Sequence, residues 1–106
     1  MSAVALVYTL FGSAEAAERV ARILLEERLI ACANLLGPAI SLYEWNGVVE
    51  RADEVPVLFK TTPSRRAALM ERLAQLHDYD LPAILALPVD AADLAFGKWV
   101  ADQIAK

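Results

Sequence analysis

Asn46-Gly47 stands between two runs of strand-forming residues, Ala39 to Trp45 and Val48 to Lys60, and constrains the fold more than any other feature of the chain. Both residues tolerate positive φ, so they suit the two-residue turn whose twist matches that of the flanking strands. Such a turn sets the register: Trp45 lies opposite Val48, Tyr43 opposite Glu50 and Ser41 opposite Ala52. These six share one face of the ribbon, while Leu42, Glu44, Val49 and Arg51 share the other. Each face mixes large apolar groups with polar ones, whereas a lone antiparallel sheet normally divides into one apolar and one polar side. Neither face belongs wholly in water. From Ala39 to Trp45 the strand reaches roughly 23 Å at about 3.3 Å per residue, so its far end projects beyond the helices of its own domain. At the root, Gly37-Pro38 falls roughly alongside Pro56, and proline cannot donate to a ladder, so pairing should break or bulge there.

The remaining periodicities supply the partners of this ribbon. Ala3 to Phe11 is an apolar, β-branched and aromatic run of strand length. Ser13 offers an N-cap, Glu15 and Glu18 suit the first turn, and Ala17, Val20, Ala21 and Leu24 recur at helical spacing. Leu29 to Leu36 is a second apolar segment leading into the ribbon. Thr62 can cap a helix whose first position is Pro63 and whose Leu69, Leu73 and Leu76 share a face, ending near His77. Ala83 to Val89 reads as a short strand, and Asp90 with Asp93 opens a last helix that aligns Phe96, Val100 and Ile104. The order is βαββαβ plus a C-terminal helix. Right-handed crossovers turn that order into an α+β, ferredoxin-like sandwich: an antiparallel sheet in the order 4-1-3-2, with helices on one face and a long hairpin between the second and third strands.

Residues 1–106 form one domain on this reading, and hydrophobic residues make up 58% of them, above the ordinary range of about 45–50%. A small domain this apolar is expected to hide surface against other copies of itself. Uncharged runs such as Met1 to Ser13 and Leu29 to Tyr43 have strand-like composition and fall short of the roughly 20 residues of a spanning helix, so no membrane association is expected. The first charge is Glu15, which argues against a secretory signal, and one Cys excludes an internal disulfide framework; both point to the cytoplasm. A net charge of −4 and a single basic pair, Arg65-Arg66, disfavour nucleic acid.

Cys32 and His77 are the side chains best suited to a soft or borderline metal such as copper or zinc, and Asp80 lies close to His77 in sequence. One chain offers too few such donors for a closed site, and no CxxC, HxxxH or HExxH spacing is present, so neighbouring copies would have to supply the rest. Each residue also has a plainer reading: His77 as a hydrogen-bonded helix end, Cys32 as a small hydrophobe in a strand. Lys60, beside Thr61 and ahead of a helix N-terminus, suits a carboxylate or phosphate, or pairs with Glu54 or Asp80. Tyr43 and Trp45 are interface packing or stacking groups. No Gly-rich phosphate loop and no Ser-His-Asp set can be assembled, and the chain is read as non-catalytic.

Taken together, Ala31-Cys32-Ala33-Asn34, Ser41-Leu42-Tyr43-Glu44-Trp45-Asn46-Gly47, Glu54, Lys60-Thr61, His77-Asp78-Tyr79-Asp80-Leu81-Pro82 and Trp99 resemble the CutA divalent-cation tolerance proteins, in that family's order and over nearly the whole chain. The resemblance implies a compact homotrimer joined through the long strands, with Tyr43, Trp45, Leu42, Val49 and Trp99 at subunit contacts. It further implies a role in metal tolerance, copper above all, and passes residue roles only to the matching positions Cys32, Lys60, His77, Tyr79 and Trp99; with the donor chemistry above, His77, Cys32 and Asp80 are expected as metal ligands and Lys60 and Tyr79 as contacts for an anionic ligand. The family's His-Pro-Tyr-Glu-x-Pro-Glu run is altered here: Asp78 replaces proline, Asp80 replaces glutamate and Ala83 removes the second glutamate. Phe96 stands where the family carries a tyrosine. Fold and assembly also look like the PII signal transducers, which makes a signalling or assembly module with small anionic ligands in inter-subunit clefts the alternative.

Overall fold

A computed structural model describes residues 3–106. Its strands are β1 (Ala5–Phe11), β2 (Cys32–Leu35), β3 (Ala39–Trp45), β4 (Val48–Thr61) and β5 (Ile84–Leu87), and its helices are α1 (Ala14–Glu26), α2 (Arg66–Leu76) and α3 (Leu94–Ala105). All pairing is antiparallel, and the sheet runs β2-β4-β1-β5, with β3 continuing from β2 along β4. Counting β2 and β3 as the one interrupted strand expected from the sequence, this is the order 4-1-3-2.

Alternation along β1 decides which face the helices cover. Ala5, Val7, Thr9 and Phe11 are buried, while Leu6, Tyr8 and Leu10 are only partly so. Val7 and Phe11 of this set join Ala17, Val20, Ala21 and Leu24 of α1 and Leu69 and Leu73 of α2 in one core, each large apolar side chain contributing about 1.5–3 kcal/mol through burial. The Ser13 side chain accepts from the Ala16 amide and starts α1 as expected. Leu29 N–H donates to Leu24 O to close its end, with Arg28 held at φ 59°, a left-handed conformation that normally selects glycine. That closure consumes the residues before Ile30, which is why β2 begins at Cys32 rather than at Leu29.

The opposite face of the sheet carries Tyr8 beside Leu58 and Leu85, and Leu6 beside Lys60 and Leu87. Leu85 and Leu87 are exposed. Helix α3 lies at one end of the molecule, where Val100 packs with Val4 and Ala31. Among the described residues no helix is long and apolar enough to cross a membrane.

The hairpin register is the one that the two-residue turn dictates, with Asn46 at φ 51° and Gly47 at φ 79°. The ladder breaks at its root. Leu35 pairs with Val57 and Ala39 with Glu54, so residues 36–38 face residues 55–56, one residue more on one strand than on the other. Leu36 N–H still donates to Pro56 O at 2.9 Å. Beyond that bulge the ribbon extends free of the helices, and the molecule measures 46 × 27 × 23 Å. Its radius of gyration, 14.5 Å, exceeds the roughly 13 Å typical of a compact domain of this length.

Helix α2 corrects one expectation. It starts at Arg66, not Pro63: Arg65 N–H closes a turn onto Thr62 O, and Thr62 spends its hydroxyl on Ser64 at 3.1 Å rather than on a helix cap.

Candidate functional site

His77 ends α2, where its backbone N–H donates to Leu73 O and its chain turns into an extended conformation. The ring is sealed from solvent and stacks on Phe11 at 4.5 Å. Nδ1 lies 3.2 Å from the Tyr79 amide and Nε2 lies 2.7 Å from Leu10 O. An amide can only donate and a carbonyl can only accept, so Nδ1 carries the lone pair and Nε2 the proton. His77 is thereby a neutral bracket between β1 and the 77–80 segment, with both nitrogens engaged inside the fold.

That bracket positions Tyr79, whose hydroxyl donates to Glu54 Oε2 at 2.8 Å. Burial, then the bond to Glu54 and that group's charge, push the Tyr79 phenol well above its ordinary range. Glu54 itself is 8% exposed and is delivered by β4 just before the bulge. Glu54, Ala52 and Glu50 lie on the face of the ribbon that also presents Ser41, Tyr43 and Trp45. Together with Leu10, Tyr79, Asp80, Leu81 and Ala83 they line an open cleft of about 620 Å³. Three carboxylates and three aromatic rings border this space, and no lysine, arginine or histidine does.

Lys60 and Cys32 occupy the other end of the sheet. They are cross-strand partners, and the Lys60 ammonium sits 5.5 Å from the centre of the Phe96 ring, which stacks on Trp99 at 5.9 Å. Burial raises the Cys32 thiol pKa against a smaller opposing pull from Lys60, so the group stays a thiol at neutral pH. The expected pairing of Lys60 with Glu54 or Asp80 is not formed: β4 separates Lys60 from Glu54 by six residues, and α3 offers it an aromatic face instead.

The candidate residues therefore divide between two places. Leu6 marks the Lys60 end of β1 and Leu10 the His77 end, roughly 13 Å apart at about 3.3 Å per residue. Within one chain Cys32 does not meet His77 or Asp80, nor does Lys60 meet Tyr79. Asp80 is exposed on the rim of the cleft. Among the described residues no three His, Cys, Asp or Glu side chains group as a metal holder. Tyr43 and Trp45 form part of the cleft wall, whereas Leu42 and Val49 project from the opposite face of the ribbon, 71% and 74% exposed. The bond from Tyr79 to Glu54 was not anticipated; extending the hairpin register by two pairs beyond Ala52, to Ala39 opposite Glu54, would have put Glu54 on the Tyr43 face.

The family described as CutA1 divalent ion tolerance protein matches residues 5–103. The divalent-cation tolerance protein CutA of Pyrococcus horikoshii is 42% identical over 101 residues, covering 95% of this chain and 98% of the relative. That of Pectobacterium atrosepticum is 45% identical over 84 residues, or 79% of this chain and 76% of the relative. Among solved structures, the divalent ion tolerance protein CutA1 from Ehrlichia chaffeensis superimposes with a TM-score of 0.95 at 34% identity, covering 100% of this chain and 99% of that one.

Proposed function

This chain belongs to the CutA1 divalent ion tolerance family, and we propose that it contributes to metal tolerance as a cytoplasmic homotrimer that holds divalent or soft ions, copper or zinc, weakly where its copies meet, without catalysis. The observation that carries the metal reading is similarity along nearly the whole chain to proteins named for divalent-cation tolerance. A soft or borderline ion needs several converging donors, and the described residues of a single chain group too few of them. His77 has no lone pair to give while both its nitrogens are bonded. Cys32 and Asp80 are the expected ligands that remain free to bind, and juxtaposed copies can add donors to either. Thiol coordination releases a proton, so affinity at Cys32 should rise with pH.

Assembly is supported by what the chain leaves bare. Ile40, Leu42 and Val49 on one face of the ribbon are 61–74% exposed, and Leu85 and Leu87 lie open on the sheet. Burying each large side chain against a sister copy would contribute about 1.5–3 kcal/mol. The resemblance to CutA proteins supplies three as the number of copies. The alternative, a PII-like module, would take small anionic ligands in clefts between subunits, since the cleft within one chain is bordered by three carboxylates that repel them.

Calorimetric titration of Cu²⁺ and Zn²⁺ into the assembled protein tests the metal reading. Uptake in fixed proportion to trimer, weakened in Cys32→Ser and in Asp80→Asn, is the expected result. Unchanged uptake in both variants removes these residues from the site, and no uptake of either ion removes the reading.

A further inference from the structure

We propose that the cleft between the ribbon and the 79–83 segment binds an organic ammonium ion carrying an apolar body. The inference starts from Glu54, a carboxylate more than nine-tenths buried. Its Oε2 accepts the hydrogen bond from the Tyr79 hydroxyl, and its Oε1 accepts none among the described residues. A buried carboxylate is stable as an anion only when hydrogen-bonded and paired with a cation, and among the described residues the one donor to it is a neutral phenol. Burial and the adjacent carboxylate keep that phenol protonated, so Tyr79 holds Glu54 in place without neutralising it. Glu50 and Asp80 add negative charge along the same walls, with no basic group to offset it. The charge the cleft lacks is positive.

The walls specify what kind of cation. The Tyr43, Trp45 and Tyr79 rings border the space, and aromatic faces attract ammonium groups, most strongly when water is excluded. Leu10, Leu81 and Ala83 supply an apolar floor. A hydrated divalent ion gains little from such walls, and the carboxylates do not converge as ligands for one. The cleft's size, about 620 Å³, suits a small organic molecule. This proposal goes beyond metal tolerance and does not depend on it.

Benzyltrimethylammonium is the probe, with benzyl alcohol and phenylacetate as its neutral and anionic counterparts. The chain has two tryptophans, so NMR of the assembled protein shows two indole N–H signals, assigned with Trp45→Phe. The ammonium should shift the Trp45 signal saturably and leave that of Trp99 in place, and the two counterparts should do neither. Glu54→Gln should weaken binding roughly tenfold or more, the loss expected for removing one buried charged partner. Glu50→Gln, at an exposed position where folding is not at stake, should weaken it about two- to threefold. Equal shifts from benzyl alcohol or phenylacetate overturn the proposal, as does a Trp45 signal that millimolar ammonium leaves unmoved, or an equal shift from Zn²⁺ alone. Cu²⁺ uptake that persists when the ammonium fails shows that this inference has fallen and the metal reading has not.

Discussion

The two halves of β4 are one continuous strand with opposite fates. From Val55 to Thr61 it pairs with β1, and Val57 and Phe59 are sealed beneath α1 and α2. From Val48 to Glu54 it pairs only with β3, and Val48 and Val49 stand in the open. The sequence is strand-forming throughout, so propensity does not separate the halves. What separates them is whether the chain itself provides a cover. The inner half is self-sufficient, and the outer half depends on something else.

That contrast sets the scale of the expected effects. Phe59→Ala, in the inner half, should lower unfolding free energy by about 3–5 kcal/mol in denaturant melts, because it removes a fully buried ring and leaves a cavity. Leu42→Ala, on the ribbon, should change the stability of the isolated fold by less than about 0.5 kcal/mol yet weaken association by about 1.5–3 kcal/mol, measured by dilution in light scattering. If Leu42→Ala destabilises the fold as Phe59→Ala does, the two halves are not different in kind.

Tyr79→Phe tests the joint between the halves. Removing the hydroxyl strands Glu54 without its donor and should cost about 1–3 kcal/mol at neutral pH. The same variant has a pH signature. Tyr79 has a folded pKa above its ordinary value of 10.0, so its contribution is whole below pH 10 and is lost as pH rises toward the folded value, where the unfolded chain ionises first. Stability of the native protein should therefore fall faster above pH 10 than that of Tyr79→Phe. Smallest of all, Arg28→Gly should raise stability by about 0.5–1 kcal/mol, since glycine adopts the left-handed turn after α1 without strain.

The fold was legible wherever local chemistry and tertiary demand agree. The Asn46-Gly47 turn carried the whole ribbon register, and Ser13 and Asp93 cap α1 and α3 at the places their side chains suggest. Thr62 was misleading because a cap position competes with a turn, and here the turn to Arg65 takes the chain first. The site was less legible. Residue type named His77 and Cys32 as metal donors without placing them, and strand geometry sets them toward opposite ends of β1 within one chain. His77 turned from a ligand candidate into a structural bracket because its neighbours, a carbonyl and an amide, are backbone groups that every residue carries. Glu54 lay hidden for the converse reason: a strand glutamate is ordinary until a register calculation puts it on the tyrosine face.

Sedimentation equilibrium on the purified protein, carried to low micromolar concentration, tests most directly whether the bare ribbon and sheet face are sheltered by sister copies. The expected result is the mass of three chains, dissociating in Leu42→Asp. A single-chain mass for a soluble, fully folded protein would contradict it.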